Sequence, residues 1–316
     1  MAARHIVLPG GSGFLGRSLT RRLTARGDRV TVLTRGQPGL GDGWQSVHWD
    51  GRSSGGWVGV LEGADAVVHL SGKRVDCRPT RRNLEELISS RVDSVRAVGE
   101  AMQRCQEPPP VRVQLSSLAI FGDGGDAVID ERTPPSGCGP AQMVQVCLAW
   151  EAAFAAATAG VERTVLLRAG IGIGGSGDPA TERLAWLVRR GLGGRAGTGR
   201  QWVSWVALDD FVSVMMRALD DESMAGLYHV TSPKPVTNAE MMATYRELLG
   251  RRFGLPAPSP ITVVGALLLG SDPALALTGR RCVPTRLLHE GFHFSVPNFG
   301  EAAAKALASG APLNSR

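Results

Sequence analysis

Three glycines, Gly10, Gly13 and Gly16, follow the first apolar run of the chain and open a helical pattern, and no other feature restricts the fold as strongly. A GxxGxxG spacing between a strand and a helix meets three steric demands. The first glycine permits a tight turn, the second lets a bound group approach the backbone, and the third lets the helix lie close on the strand. The first N–H groups of that helix, together with its dipole, then face whatever fills the turn and favour an anion there.

The rest of the first half agrees with a strand–helix repeat. Runs at 5–8, 29–33, 66–70, 111–115 and 164–167 are short, mostly apolar and β-branched, and bounded by Gly, Asp or Ser, the signature of buried strands. Between them apolar residues recur at helical spacing: Val92, Val95, Val98 and Met102 mark one helix face, and Val146, Leu148 and Phe154 belong to another. Strand and helix in alternation predict an α/β fold, a Rossmann-type doubly wound parallel sheet. Beyond about residue 170 the alternation weakens. There Asp209 and Asp210 read as caps of a helix through Leu219, and Thr237 with Glu240 as the capping box of a helix ending before Gly250. The predicted organisation is a cofactor-binding domain over 1–170, with sheet elements returning near 201–232, and a smaller substrate-binding or lid portion over 171–316. Substrate would lie in the crevice between them.

The second predicted strand ends in Leu33, Thr34 and Arg35. Proteins of this architecture that bind NAD place Asp or Glu there to hold the ribose 2′-hydroxyl, whereas a guanidinium suits a 2′-phosphate. The expected cofactor is therefore NADP(H), cradled by Gly10, Ser12, Gly13, Phe14, Leu15 and Gly16 and met by Thr34 and Arg35.

Composition narrows the partners. The net charge of +6 and a pI near 9.5 suit an anionic ligand, but no block of Lys/Arg reads as a nucleic-acid tail. The N-terminus runs straight into a strand, and the apolar run 261–269 is far short of the ~20 residues that cross a bilayer, so it reads as a buried helix. The expectation is a cytoplasmic protein without nucleic-acid or membrane partners, monomeric or homodimeric. Cys77, Cys105, Cys138, Cys147 and Cys282 are odd in number and lack metal spacing, and read as reduced, mostly buried thiols. His289, Glu290 and His293 fit HExxH, yet Gly291 inside the motif argues against the continuous helix that zinc needs, so no metal is expected. The charged segment 75–82 reads as part of a lid. Trp44, Trp49, Trp57, Trp186, Trp202 and Trp205 either line an aromatic pocket or pack in the core.

Two further runs carry a resemblance. Residues 65–72 (DAVVHLSG) and 115–122 (LSSLAIFG) resemble the fourth and fifth strands of extended short-chain dehydrogenase/reductases. A narrower likeness covers nearly the whole chain: Ser90-Arg91-Val92, 149–152 (AWEA), 167–171 (LRAGI), 191–194 (GLGG), 205–210 (WVALDD), the Thr237 box and Gly291-Phe292. Together these resemble the atypical epimerase-like branch of the NAD-dependent epimerase/dehydratase family. The resemblance implies cofactor contacts at Leu70, Ser71, Gly72, Ser116, Arg168 and Gly170, and a catalytic hydroxyl at Ser117. It also exposes a departure. Family members need Tyr, with Lys four residues later, as proton donor and its support. Here those places fall to Met143 and Cys147, and the only tyrosines, Tyr228 and Tyr245, lie elsewhere.

Two classes of function follow. One is an NADPH-dependent ketoreductase whose proton comes from Ser117, water or a substrate hydroxyl. The Arg/Ala/Gly-rich composition suits a high-GC bacterium, where reductases of aromatic polyketides (angucyclinones) in antibiotic biosynthesis are common. The other is a non-catalytic NADP(H)-binding regulatory protein. A nucleotide-sugar epimerase-like enzyme, which the family name suggests, would rely on the missing tyrosine.

Overall fold

The structure, a computed structural model, describes residues 3–41, 43–135, 141–174 and 177–309. Along the first half run β1 (His5–Pro9), α1 (Phe14–Arg26), β2 (Arg29–Thr34), β3 (Leu40–Gly41), β4 (Trp44–His48), β5 (Ala66–His69), α2 (Arg81–Met102), β6 (Val111–Ser117), β7 (Val128–Ile129), α3 (Ala141–Ala156) and β8 (Arg163–Ala169). Then come β9 (Ile171–Ile173), α4 (Pro179–Arg189), β10 (Trp202–Val203), β11 (Trp205–Ala207), α5 (Leu208–Asp220), β12 (Gly226–Val230), β13 (Val236–Thr237) and α6 (Asn238–Leu248). The chain closes with α7 (Ser259–Leu268), α8 (Ala274–Leu277), β14 (Arg281–Cys282), α9 (Thr285–His289) and α10 (Phe299–Ser309).

Eight strands form the main sheet in the order β12-β8-β6-β5-β1-β2-β4-β3, parallel throughout except for β3 on β4. From β1 the chain builds outward to β2 and β4, then returns and builds the other way through β5. The reversal between β1 and β5 is the switch point at which sheets of this kind bind ligands. Alternate side chains feed two layers. Ile6, Leu8, Val30, Val32 and Val68 pack under α1 and α5, against Leu19, Leu23 and Phe211. Val7, Leu33 and Val67 face Val98 and Met102 of α2. A second core gathers Trp205, Tyr245, Phe299 and Ala303 among α4, α6 and α10.

All five predicted strands are present. Apolar runs did not reveal β4, whose half-buried residues lie near the sheet edge, or β12, which pairs with β8. The Thr237–Glu240 capping box forms as expected, with Gly250 at φ +65° just past the helix. Two expectations are corrected. Asp209 and Asp210 do not cap α5: its N-cap is Ala207, and both acids lie in the first turn. There Asp210 accepts bonds from Ser295 and the Val296 N–H, an anchor for the chain leading into α10. The apolar run 261–269 is a helix but not a buried one; Val264 is 58% and Leu268 77% exposed. Without a polar face its sequence carried no periodicity to show which side packs. Trp49, Trp57 and Trp205 are core residues, and Trp186 and Trp202 lie under Arg190 and Arg281.

A Cβ on Gly16 would lie 2.3 Å from the Gly11 carbonyl oxygen. Gly16→Ala is therefore expected to force α1 off the sheet and cost about 1–3 kcal/mol, read as a lower urea midpoint; an unchanged midpoint would deny this contact its role.

Candidate functional site

Gly10 takes φ +79°, a conformation that L side chains rarely adopt, and a Cβ there would lie 2.6 Å from the Ser71 Cα. Its N–H donates to the Leu33 carbonyl (3.0 Å), while the Leu70 N–H donates to that of Pro9 (2.9 Å), so the turn is stitched to both neighbours of β1. Gly11, which the spacing rule passed over, is as tightly held: its N–H donates to Leu8 O, and a Cβ would lie 2.8 Å from that of Leu8. A Cβ on Gly13 would meet only the Gly10 carbonyl, at 3.7 Å. Gly13 is also the N-cap of α1, with no side-chain cap and no acid in the first turn, where Phe14 and Leu15 stand. The N–H groups at this helix start have no side-chain acceptor or competing carboxylate, which is what a pyrophosphate needs.

At the end of β2, Thr34 is buried; its hydroxyl donates to Ser12 Oγ (3.3 Å) and accepts from the Gly36 N–H (3.1 Å). Arg35 is exposed and has neither a hydrogen bond nor an ion pair among the described residues. A free guanidinium in place of a carboxylate fits a 2′-phosphate beside the turn.

The ends of β5, β6 and β8 bring the remaining candidates together. Ser71 is buried, with its hydroxyl unpartnered. Gly72 lies against Arg91, and a Cβ would come 2.9 Å from the guanidinium carbon. Arg91 donates to the carbonyls of Leu87 and Lys73, fixing the chain as it leaves β5. Ser116 and Arg168, both buried, converge on Glu151 of α3. The serine donates at 2.6 Å and the guanidinium at 2.9 and 2.8 Å. Gly170 marks a close crossing, for a Cβ would meet the Ser204 carbonyl at 2.6 Å. Ser117 is half-buried, and its Oγ accepts the Ala119 N–H (3.2 Å), which caps the turn Leu118–Phe121.

Sequence reasoning picks out Glu151 only as part of a motif. Burying the acid between two donors is a tertiary event that local spacing does not reveal.

Where the resemblance calls for Tyr and Lys, α3 presents half-buried Met143 and fully buried Cys147, packed with Leu118, Phe121 and Cys282. Burial pushes the Cys147 thiol up to about 12, although Arg91, Arg280 and Arg168 pull the other way, so it is neutral at ordinary pH. Neither tyrosine substitutes. Tyr228 bonds Glu290 and Arg286, and Tyr245 bonds Thr181. Lys73 is held by Asn83 and Glu86, Lys234 by Asn298 and Lys305 by Glu301. The α9 helix ends at His289, with Gly291 at φ +74°, so the two histidines of the HExxH match do not share a helix. No metal-binding cluster occurs among the described residues. Cys77 and Cys105 are half-buried free thiols, Cys282 is buried, and Cys138 lies outside the described residues.

The charged segment before α2 reaches across to the later elements. Asp76 accepts from Arg183 of α4 (2.7 and 2.9 Å) and from Ser271 (2.6 Å), while Arg78 donates to the Leu267 carbonyl (2.9 Å). No helix among the described residues is long and apolar enough to cross a membrane.

Comparison with known proteins matches this geometry to a family. The profile of the NAD dependent epimerase/dehydratase family matches residues 6–230, and that of a domain of unknown function, DUF1731, matches 260–306. The human epimerase family protein SDR39U1 is 31% identical over 96% of this chain and 100% of its own length. Its structure with NADPH superposes with a TM-score of 0.83 at 28% identity, covering 96% of this chain and 99% of that one. The nucleoside-diphosphate sugar epimerase from Corynebacterium glutamicum gives a TM-score of 0.77 at 27% identity, over 97% of this chain and 58% of that one.

Glu151→Gln would leave Arg168 buried without its countercharge, and is expected to cost about 3–5 kcal/mol in chemical denaturation; a loss below about 1 kcal/mol would mean the pair is dispensable. Cys147 is expected to resist iodoacetamide at about pH 8 in the folded protein and to react once urea unfolds it. Peptide mass spectrometry reads both states, and labelling of the folded protein would place the thiol in the open.

Proposed function

This chain belongs to the NAD dependent epimerase/dehydratase family, and on that footing we propose that it is an NADP(H)-dependent ketoreductase that works without a tyrosine acid. The observation that carries the reading is the pairing of an uncapped α1 N-terminus with a free Arg35 where a carboxylate would select NAD. The SDR39U1 structure containing NADPH supports the same choice. In this reading the backbone from Gly10 to Gly16, with Ser12, Phe14 and Leu15, holds the pyrophosphate, and Thr34 and Arg35 hold the 2′-phosphate. Leu70, Ser71 and Gly72 line the adenosine side, while Ser116, Arg168 and Gly170 shape the floor near the reacting end. Residues 1–170, with strands returning over 201–232, form the cofactor domain, and 171–316 close over the substrate.

When bound, NADPH supplies a hydride from C4 of its nicotinamide. The carbonyl oxygen of the substrate then needs a proton. Met143 has none to give, and the Cys147 thiol is fully buried among Leu118, Phe121 and Cys282, out of a substrate's reach. Ser117 is suited to the step, because its Oγ accepts the Ala119 N–H and its own proton is left free to point at a substrate oxygen. A serine is a weak acid, so a substrate whose own hydroxyl polarises the carbonyl, such as a phenolic polyketide made in antibiotic biosynthesis, suits this site best. The same reading takes the protein as cytoplasmic and monomeric or homodimeric.

The missing acid favours a second reading, a non-catalytic NADP(H)-binding regulator. Thermal shift with NADPH beside NADH tests the cofactor site. NADPH is expected to raise the melting temperature more than NADH, and Arg35→Ala to weaken NADPH at least about tenfold while leaving NADH unchanged. No shift with either cofactor would end both readings. Oxidation of NADPH by aromatic ketones separates them. For the reductase, Ser117→Ala should lower kcat about tenfold with KM little changed; stabilisation by NADPH without turnover of any ketone would favour the regulator.

A further inference from the structure

Arg280 is fixed by its backbone and left free at its tip. Its N–H donates to the Trp202 carbonyl (3.0 Å), and its carbonyl accepts the Ser204 hydroxyl (2.8 Å). The preceding Gly279 is stitched to the loop that follows the Ser117 turn: Gly124 N–H donates to Gly279 O (2.8 Å), and Gly279 N–H donates to Asp123 Oδ1 (3.2 Å). Gly124 makes room for the arginine, since a Cβ there would lie 3.4 Å from the Arg280 Cβ. The neighbouring Arg281 instead lies over the Trp202 ring, 4.5 Å from its centre.

The Arg280 guanidinium lies near Cys147, the residue that stands where the family expects lysine. The titratable groups facing it are Cys282, Cys147 and Asp123. Both thiols are neutral, pushed up to about 12 by burial. Asp123 is exposed and forms no ion pair with it. The Nε of Arg280 is buried without an acceptor, and the side chain has no hydrogen bond or ion pair among the described residues. Its two cationic neighbours around Cys147 differ: Arg168 is neutralised by Glu151, and Arg91, whose Nε is also unpartnered, donates both end nitrogens to the carbonyls of Leu87 and Lys73 and lies over the Trp150 ring. A half-buried guanidinium, sunk to its Nε and without a countercharge, is a ready partner for an anion.

We propose that Arg280 anchors an anionic group of the substrate, a carboxylate or a phosphate, and so fixes which end of the substrate lies beside Ser117. This rests on the reading of the cleft as a substrate site. Calorimetric titration of wild type, Arg280→Gln and Arg280→Lys with inorganic phosphate and with benzoate, at constant ionic strength, tests it. The titrations are run with NADPH present, so that the α1 N-terminus is already taken. Wild type is expected to bind one of the two saturably, which tells phosphate from carboxylate. Arg280→Gln should bind it at least about tenfold more weakly, and Arg280→Lys should recover part of the loss. Free Arg280→Gln should also melt no lower than wild type, because it removes a half-buried cation that has no countercharge. Equal binding by Arg280→Gln, no saturable binding of either anion by wild type, or a marked fall in its melting temperature would overturn the assignment. If NADPH fails to bind, the cofactor reading falls, and the difference between wild type and Arg280→Gln, which leaves the α1 N-terminus unchanged, still decides this one.

Discussion

Where the turn after β1 meets the chain leaving β5, backbone lies on backbone with no side chain between them. Gly10 rests on Ser71, and one turn further Gly16 lets α1 rest on Gly11. Close packing of this kind cannot be rearranged by rotamer changes, so it fixes the start of α1 relative to the strand ends with little play. The sheet order follows from the same place, because β1 is the strand from which the chain builds in both directions. The uncapped helix start, the hydroxyls of Ser12 and Thr34 and the free Arg35 all acquire their positions from that contact.

The other side of the site is organised by buried charge. Glu151 reaches from α3 to Ser116 and Arg168 and ties the ends of β6 and β8 to that helix. Removing such a carboxylate exposes the cost of the cation it neutralises, so the pair holds three elements in one arrangement whatever its net worth. On the same helix the positions expected to carry a phenol and an ammonium are a thioether and a thiol. No such pair stands on α3, although the helix itself is tied to the ends of β6 and β8 through Glu151. Positive charge near Cys147 is supplied instead by arginines arriving from α2, β8 and the segment before β14.

Polar contacts between the loop after β5 and the later helices complete the frame. Asp76, at the start of the charged loop before α2, holds Arg183 and Ser271, and Arg78 meets the end of α7. These groups are partly exposed, so each contact is worth little singly. Their effect is to set the distance between the loop after β5 and the helices that face it.

The sequence by itself determined the parallel sheet, its first strands, the anion-ready turn and the absence of a carboxylate after β2. Each of these is a local pattern: an apolar run, a glycine spacing, one residue at a strand end. It also showed that Tyr and Lys are missing, since that is a matter of which residues stand in α3. Only the tertiary structure decided what became of the buried polar groups. Nothing near Ser116 or Arg168 in the chain announces Glu151 as their shared partner, and nothing in the pair Arg280 and Arg281 tells which guanidinium turns inward. The apolar stretch of α7 is exposed rather than buried for a related reason. A run without a polar face carries no record of which side packs, and burial is settled by the elements that come to lie against it.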